Sequence, residues 1–243
     1  MKATSPERQD LSTRIADLLE MRPDDVVAEI VAAGDDWAIG LEAAHLLHEL
    51  IGLLRPRSVL EFGAGRSSLV IAHALERIGG GCLTSIEHQP QYVTKSWQQM
   101  SRYRGVDALL VESTLRLTPS RHGLLYEYTN IVPSLRSRGP FSFVFIDAPP
   151  SRYGRDSTLL AAAPYLDTGA IVQLDDAARP QEKTAVRRWE RALDVQHVFD
   201  ADPLGRGVAV LRVASPRAAS FAWRTFVGSI QDRVRERRSA GAG

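Results

Sequence analysis

Carboxylates stand at or near the ends of five stretches of the sequence that have the composition of buried strands. They are Glu61, Glu87, Glu112, Asp147 and the pair Asp175-Asp176. In an open parallel α/β sheet the carboxyl ends of the strands form the ligand crevice, so these acids should converge on one site. Clustered carboxylates are costly to bury unless a charge or a hydrogen bond balances them. The pattern therefore predicts a cationic ligand or a metal ion.

A glycine-rich turn follows the first of these strands and precedes a helix. Gly63, Ala64 and Gly65 form the turn, and Ser67 opens the helix. Glycines there let the backbone turn tightly and approach a ligand closely. Glu87 comes 22 residues after Gly65 (87 − 65), at the end of the next strand, where an acid can accept both ribose hydroxyls. The two features together predict a cofactor that contains adenosine.

Two cofactor classes compete for this turn. The anionic pyrophosphate of a dinucleotide is best served by a third glycine, and Ser68 stands there, while Glu61 places a negative charge beside the turn. S-adenosylmethionine carries a sulfonium and an ammonium group that Glu61 and Asp147 could hold, and Ser67 with the helix N-terminus could bind its carboxylate. We favour S-adenosylmethionine. An NAD-dependent oxidoreductase stays as an alternative, as does an ion pair of Glu61 with Arg66 or another arginine.

Strands and helices alternate from Ser58 onward, which predicts right-handed crossovers and a parallel sheet. The predicted strands are 58–62, 83–87, 108–112, 141–147 and 170–175, and the predicted helices are 67–78, 90–102, 156–166 and 180–193. VQHVFD and GVAVLRV, separated by a Pro203/Gly205 turn, predict a closing antiparallel hairpin. The long connection 113–139 is typical of a lid or substrate loop.

The chain divides into three predicted parts. Apolar spacing predicts three helices before Pro56, and we interpret 1–56 as a helical cap. Residues 57–214 form the cofactor-binding domain, and 215–243 form a C-terminal helix with a disordered tail. Helix 41–54 and the C-terminal helix could each form a dimer face, which makes a homo-oligomer an open alternative to simple coverage of the sheet.

At these motifs the sequence resembles the class I S-adenosylmethionine-dependent methyltransferases. The resemblance covers about residues 37–214 and rests on VLEFGAGRSS, LTSIEH, FVFIDAPP, AIVQLDD and the closing hairpin. It implies an α/β, Rossmann-like fold with a seven-stranded, mostly parallel sheet whose last strand is antiparallel. The cofactor-binding residues that it implies are Glu61, Gly63, Ala64, Gly65, Ser67, Glu87, His88, Glu112, Ser113 and Asp147, with His88 beside the adenine and Asp147 facing the methionine and the substrate.

Within that class the chain is similar to the metal-dependent small-molecule O-methyltransferases of the catechol and macrocin types. The similarity implies Asp147 as a catalytic residue and Asp147, Asp175 and Asp176 as ligands of Mg²⁺, which would orient and acidify a substrate hydroxyl. Catechol-type enzymes place a lysine base where this chain has Pro150. The base is therefore open, with His122 as one candidate. Transfer without a metal, to oxygen or nitrogen, and a non-catalytic cofactor-binding module remain alternatives, and either Asp175 or Asp176 could instead cap the next helix.

Composition limits the partners. The chain has 243 residues and one cysteine. Its formal net charge is only +1, so neither nucleic acid nor an anionic membrane is favoured as a partner. No stretch approaches a membrane span and no signal peptide is visible, so we expect a cytoplasmic protein with a small-molecule acceptor. His45, His48, His73 and His197 are expected to be structural, the first two at a helix surface.

Overall fold

The computed structural model describes residues 6–34, 38–120, 122–201 and 206–215. The strands are β1 (Ser58–Phe62), β2 (Gly81–Glu87), β3 (Val106–Glu112), β4 (Leu115–Ser120), β5 (Gly123–Tyr128), β6 (Phe141–Ile146), β7 (Leu166–Asp175), β8 (Asp194–Ala201) and β9 (Val208–Ser215). The helices are α1 (Pro6–Leu19), α2 (Asp25–Ala32), α3 (Leu41–Leu54), α4 (Arg66–Arg77), α5 (Thr94–Gln98), α6 (Val132–Arg138), α7 (Asp156–Ala162) and α8 (Pro180–Ala192). The predicted C-terminal helix and tail lie, beyond Ser215, outside the described residues.

Seven strands form one sheet in the order β3-β2-β1-β6-β7-β9-β8. All neighbours pair in parallel except β9, which is antiparallel to both β7 and β8. The predicted seven-stranded α/β sheet and its closing hairpin are therefore confirmed. Chain order reverses beside β1, where β2 and β6 flank it, and such a switch point is where open α/β sheets bind ligands.

The central strands are buried on both faces, which explains their continuous apolar sequences. Alternate residues of these strands enter two separate cores: Val59 of β1 lies in one, and Leu60 and Phe62 lie in the other. Because side chains alternate along a strand, Glu61 points to the same face as Val59. That face is the one covered by α3 and α4, since Leu47 and Val70 belong to the same core.

The N-terminal helices are part of the main core. Ile15, Val27 and Leu46 are fully buried in the same cluster as Val59. Helix α3 therefore covers the sheet, the second of the two roles predicted for it. Its histidines were expected at the helix surface, and that expectation is wrong: His45 and His48 are 3% and 4% exposed. The division into three domains stays a prediction.

The largest departures from the predicted elements lie in two connections. Residues 113–139 contain the two-stranded antiparallel sheet β4–β5 and helix α6, where the sequence indicated only a long connection. The predicted helix 90–102 is divided into α5 and two flanking 3-10 turns, Pro90–Tyr92 and Met100–Arg102. Among the described residues, no helix combines the length and the apolar character needed to cross a lipid bilayer.

Candidate cofactor-binding and catalytic site

The turn between β1 and α4 requires glycine at its first position and leaves open space at its third. Gly63 has φ +99°, and a Cβ there would lie 2.7 Å from the Cβ of Ala148. Phe62, just before the turn, accepts hydrogen bonds at its carbonyl from the backbone N–H groups of Asp147 and Ala148, each at 2.9 Å. A Cβ on Gly65 would meet nothing within 4 Å. The turn is thus fixed against the end of β6 and presents open backbone to the crevice, as a cofactor cradle requires.

Glu61 is fully buried beneath this turn and is bound by hydroxyl groups. Its Oε1 accepts from Ser67 Oγ at 2.6 Å, and its Oε2 accepts from Ser68 Oγ at 2.6 Å and from Ser85 Oγ. Burial raises the pKa of Glu61 to about 7, although the three hydroxyls act against the shift. Arg66 is not an ion-pair partner of Glu61, because its guanidinium donates to the Ala33 carbonyl instead, and no other arginine of the described residues pairs with Glu61. The predicted role of Glu61 on the methionine side of the cofactor stays a prediction. In this geometry Glu61 would act on the cofactor through Ser67 and Ser68, the two serines that it holds at the start of α4.

Glu87 and His88 offer unsatisfied polar atoms at the end of β2. Glu87 Oε1 accepts from the backbone N–H groups of His88 and Gln89 at 2.7 and 2.6 Å, while no donor from the described residues reaches Oε2. Nε2 of His88 is buried without a hydrogen-bond partner among the described residues, whereas its Nδ1 lies 3.0 Å from Glu87 Oε1. Buried polar groups are nearly always paired, so these atoms fit a ligand that supplies hydroxyl and nitrogen partners. Adenosine has both.

Glu112 and Ser113 lie beside Glu87 but differ from it in what they can offer. Glu112 is exposed and pairs in register with Glu87 across β3 and β2. Ser113 is buried, its N–H donates to the Glu87 carbonyl at 2.8 Å, and its hydroxyl donates to the Thr129 carbonyl. Its side chain is therefore already used by the protein, and its adenine contact stays a prediction.

An aromatic wall that sequence reasoning did not assemble borders this edge. Tyr126 and Tyr153 meet edge to face with ring centroids 4.9 Å apart, and Tyr153 lies 6.1 Å from His88. Tyr128 lies 6.4 Å from His88, and its hydroxyl is buried without a partner among the described residues. The hairpin β4–β5 supplies Tyr126 and Tyr128, so the connection that was expected to shape the substrate pocket does reach the predicted site.

The acids at the ends of β6 and β7 surround a buried arginine, Arg155, which is 2% exposed. Its Nη2 lies 2.9 Å from Asp147 Oδ1 and 3.0 Å from Asp176 Oδ2. Its Nη1 donates to the Asp175 carbonyl at 2.7 Å, and its Nε lies 3.7 Å from Glu182 Oε1. Sequence analysis missed Arg155. The sequence signal that could have indicated Arg155 was the row of acids at the strand ends, because buried acids need a cation nearby.

The predicted magnesium ligands do not fit a hard octahedral site in this arrangement. Arg155 already bridges Asp147 and Asp176, and Asp176 also pairs with Arg179 at 2.7 Å and Arg206 at 2.8 Å. A metal ion would have to displace four contacts from three guanidinium groups that already provide positive charge. The magnesium site stays a prediction that this geometry does not favour. The helix-cap alternative is wrong, since α8 has Arg179 at its N-cap and no side-chain capping hydrogen bond.

Asp147 is the member of the cluster that reaches the crevice. Its side chain is 23% exposed, against 4% for Asp176 and 1% for Glu182. Burial and the neighbouring Asp175 raise the pKa of Asp147, and Arg155 acts in the opposite direction. His122, the other candidate base, lies at the β4–β5 turn, where its N–H donates to Ser120 Oγ at 3.2 Å. Its catalytic role stays a prediction.

Comparison with known proteins gives a family match and a shared fold. The model of a family described as a methyltransferase domain matches residues 60–177. The O-methyltransferase TomG of Streptomyces achromogenes, solved in complex with S-adenosylmethionine and involved in tomaymycin synthesis, is 21% identical with a TM-score of 0.56, covering 88% of this chain and 100% of its own. An O-methyltransferase from Bacillus cereus, in complex with S-adenosylhomocysteine, is 15% identical with a TM-score of 0.54, covering 85% and 98%. No curated protein matches the chain.

The matched segment contains the glycine turn, the acids that end β2, β3, β6 and β7, and Arg155. The oxidoreductase alternative has no support from these matches. The family model covers the whole predicted site, so residues 60–177 match a methyltransferase domain, and the sheet has the Rossmann-like fold of the similar solved O-methyltransferases.

Proposed function

We propose that the protein transfers the methyl group of S-adenosylmethionine to a hydroxyl group of a small-molecule acceptor, without a metal ion. The observation that carries the cofactor half of this proposal is the set of unpartnered groups beside the open turn at Gly65. Oε2 of Glu87 fits the ribose hydroxyls, and Nε2 of His88 fits the adenine edge. The two similar solved structures are O-methyltransferases, which supports oxygen as the acceptor atom.

Asp147 is the proposed proton acceptor. The cofactor supplies a methyl group that is already strongly electrophilic, so the protein must orient the acceptor oxygen and remove its proton. A carboxylate whose pKa lies above its usual range suits that task near neutral pH. Arg155 holds Asp147 at 2.9 Å and supplies the positive charge that a metal provides in the catechol type.

Calorimetric titration with S-adenosylmethionine, in buffer with EDTA and then with Mg²⁺, tests the cofactor and the metal. We expect the same affinity in both buffers and no binding of NAD⁺. Glu87→Gln should weaken binding by about 10- to 100-fold, because hydrogen bonds to charged groups contribute about 1.5–3 kcal/mol. Glu190→Gln, an exposed acid on α8, is the control. If S-adenosylmethionine bound only in the presence of Mg²⁺, the metal-dependent O-methyltransferase hypothesis would be favoured instead.

Turnover tests the role of Asp147. Formation of S-adenosylhomocysteine with a panel of phenols and hydroxylated acceptors should be abolished in Asp147→Asn, while cofactor affinity and the folded spectrum persist. The rate of the unmodified enzyme should rise with pH as Asp147 loses its proton. Full activity in Asp147→Asn, measured with an acceptor that the unmodified enzyme methylates, would contradict the assignment.

A further inference from the structure

A second group of polar side chains lies where three helices meet, away from the methyl-transfer site. Asp24 precedes α2, His48 lies in α3 and His73 lies in α4, and one ligand atom from each lies within 4.8 Å of the others. Sequence reasoning treated both histidines as structural. We propose that these three residues bind a divalent transition-metal ion of the zinc class, independently of the proposed methyl-acceptor chemistry.

The spacing of two of the ligand atoms already matches a zinc site. His73 Nε2 lies 3.2 Å from Asp24 Oδ1. Zinc binds imidazole nitrogen at roughly 2.0–2.1 Å and carboxylate oxygen at roughly 2.0–2.2 Å, and a tetrahedral angle between such bonds separates nitrogen and oxygen by about 3.4 Å. Replacing the shared proton by the metal therefore needs little movement of either side chain.

His48 carries the strongest sign that a ligand is missing. Its Nδ1 lies 2.7 Å from Glu49 Oε1, while its Nε2 is buried without a hydrogen-bond partner among the described residues. A carboxylate that accepts from Nδ1–H leaves the lone pair on Nε2, which is the arrangement that orients histidines toward metals. Burial lowers the pKa of His48, which favours the neutral imidazole, although Glu49 opposes the shift.

The donor set selects the class of metal. Two imidazole nitrogens and one carboxylate oxygen suit zinc and its neighbours, whereas Mg²⁺ and Ca²⁺ prefer oxygen ligands. Arg77 binds the other carboxylate oxygen, Asp24 Oδ2, and the N–H groups of Val26 and Val27 reach Oδ1 at 2.9 and 3.3 Å. These contacts fix the orientation of the Asp24 carboxylate toward His73. One coordination position remains for water.

The metal would connect three helices at a distance from the cofactor turn. His73 lies seven residues after Arg66, the first residue of α4, and hence roughly 10 Å along the helix axis. The ion would join the start of α2 to α3 and α4. Its expected effect is therefore on the stability of the helical layer, which can be measured without any methyl acceptor.

Zinc binding to the full chain, measured by competition with a chromogenic chelator, tests this site. We expect one equivalent of Zn²⁺ per chain, a rise in Tm on addition of Zn²⁺, and, with Co²⁺, the visible absorption of a tetrahedral ion. His73→Gln should weaken binding at least 100-fold and remove the rise in Tm. Glu49→Gln should weaken binding 10- to 100-fold, as loss of a partner that orients a metal ligand does.

His197→Gln is the matched control, because His197 also lies beside two acids, at 3.3 Å from Asp200 and 3.9 Å from Glu190. It should bind Zn²⁺ as the unmodified chain does. Circular dichroism verifies that each variant is folded. If His73→Gln does not fold, Glu49→Gln still tests the site. Equal Zn²⁺ affinity in the unmodified chain and in His73→Gln, or the absence of stoichiometric binding to the unmodified chain, would overturn the proposal.

Discussion

Glu61 and Asp147 lie near the carboxyl ends of the neighbouring strands β1 and β6, yet they contact different partners. Three serine hydroxyls surround Glu61, and within the described part of the chain no cation is among its hydrogen-bond donors. Asp147 belongs to a group of acids that share the guanidinium of Arg155. Neutral donors leave the pKa of Glu61 raised to about 7, so the protonated form persists near neutrality. Burial also raises the pKa of Asp147, to about 8, but there the guanidinium of Arg155 acts against the shift.

The difference separates two tasks of the same edge. Glu61 and its serines shape the turn that approaches the cofactor, and both of its oxygens are used inside the protein. Asp147 and Arg155 place a partly exposed carboxylate at the crevice, where chemistry can use it. Removing the serine partners of Glu61 should therefore affect stability alone. Removing Arg155, the partner of Asp147, should affect both stability and catalysis.

Arg155→Met should give the largest effect. It leaves Asp147, Asp176 and Glu182 without the cation that they share, and removing one partner of a buried ion pair costs about 3–5 kcal/mol. Chemical denaturation at pH 7.5 measures the loss in the free energy of unfolding. Arg155→Lys should lose less, because the charge remains while the planar set of donors is lost.

Arg152→Met is the control for this experiment. Arg152 is an exposed neighbour whose guanidinium lies 4.8 Å from the centroid of the Tyr153 ring, so we expect a change within about 0.5 kcal/mol. If Arg155→Met unfolds at the same denaturant concentration as Arg152→Met, the acids do not depend on Arg155, and the contrast with Glu61 fails.

Glu61→Gln should change how stability depends on pH. The pKa of Glu61 is about 7 in the folded chain, against 4.5 for an unperturbed glutamate. The folded state therefore holds a proton that the unfolded state releases, so this stability is present below pH 4.5 and is lost as the pH rises to 7. The loss amounts to about 3.5 kcal/mol at most, since one pKa unit corresponds to about 1.4 kcal/mol.

Unfolding curves of Glu61→Gln and the unmodified chain at pH 5, 6, 7 and 8 measure this difference. Relative to the unmodified chain, the variant should gain stability steadily up to pH 7 and then level off. Glu112→Gln, at an exposed strand end, should run parallel to the unmodified chain. A constant difference between Glu61→Gln and the unmodified chain across this range would show that Glu61 does not change its protonation there.

These two clusters also mark what the sequence could predict. The strand ends, the glycine turn and the closing hairpin follow from local patterns of apolar residues and breakers, and the sheet confirms them. Arg155 could not be placed, because its partners lie 8 to 27 residues away and meet only through the order of strands β6 and β7. The burial of His48 was missed for a similar reason, since α4 and the residue before α2 must both fold against α3 to cover it.

Ser85→Ala should give the smallest effect, and it distinguishes the two kinds of cluster most finely. It removes one of two hydroxyls that donate to Glu61 Oε2 and leaves the charge balance of the site unchanged. A hydrogen bond to a neutral group contributes about 0.5–1.5 kcal/mol and one to a charged group about 1.5–3 kcal/mol. Because Glu61 loses its proton near pH 7, the cost of Ser85→Ala should be greater at pH 8 than at pH 5.5. Denaturation at these two pH values measures it, with Ser137→Ala, an exposed serine on α6, as the control. An equal cost at both values would mean that Ser85 packs beside Glu61 without stabilising its anion, and the hydroxyl cluster would then differ from the arginine cluster in packing alone.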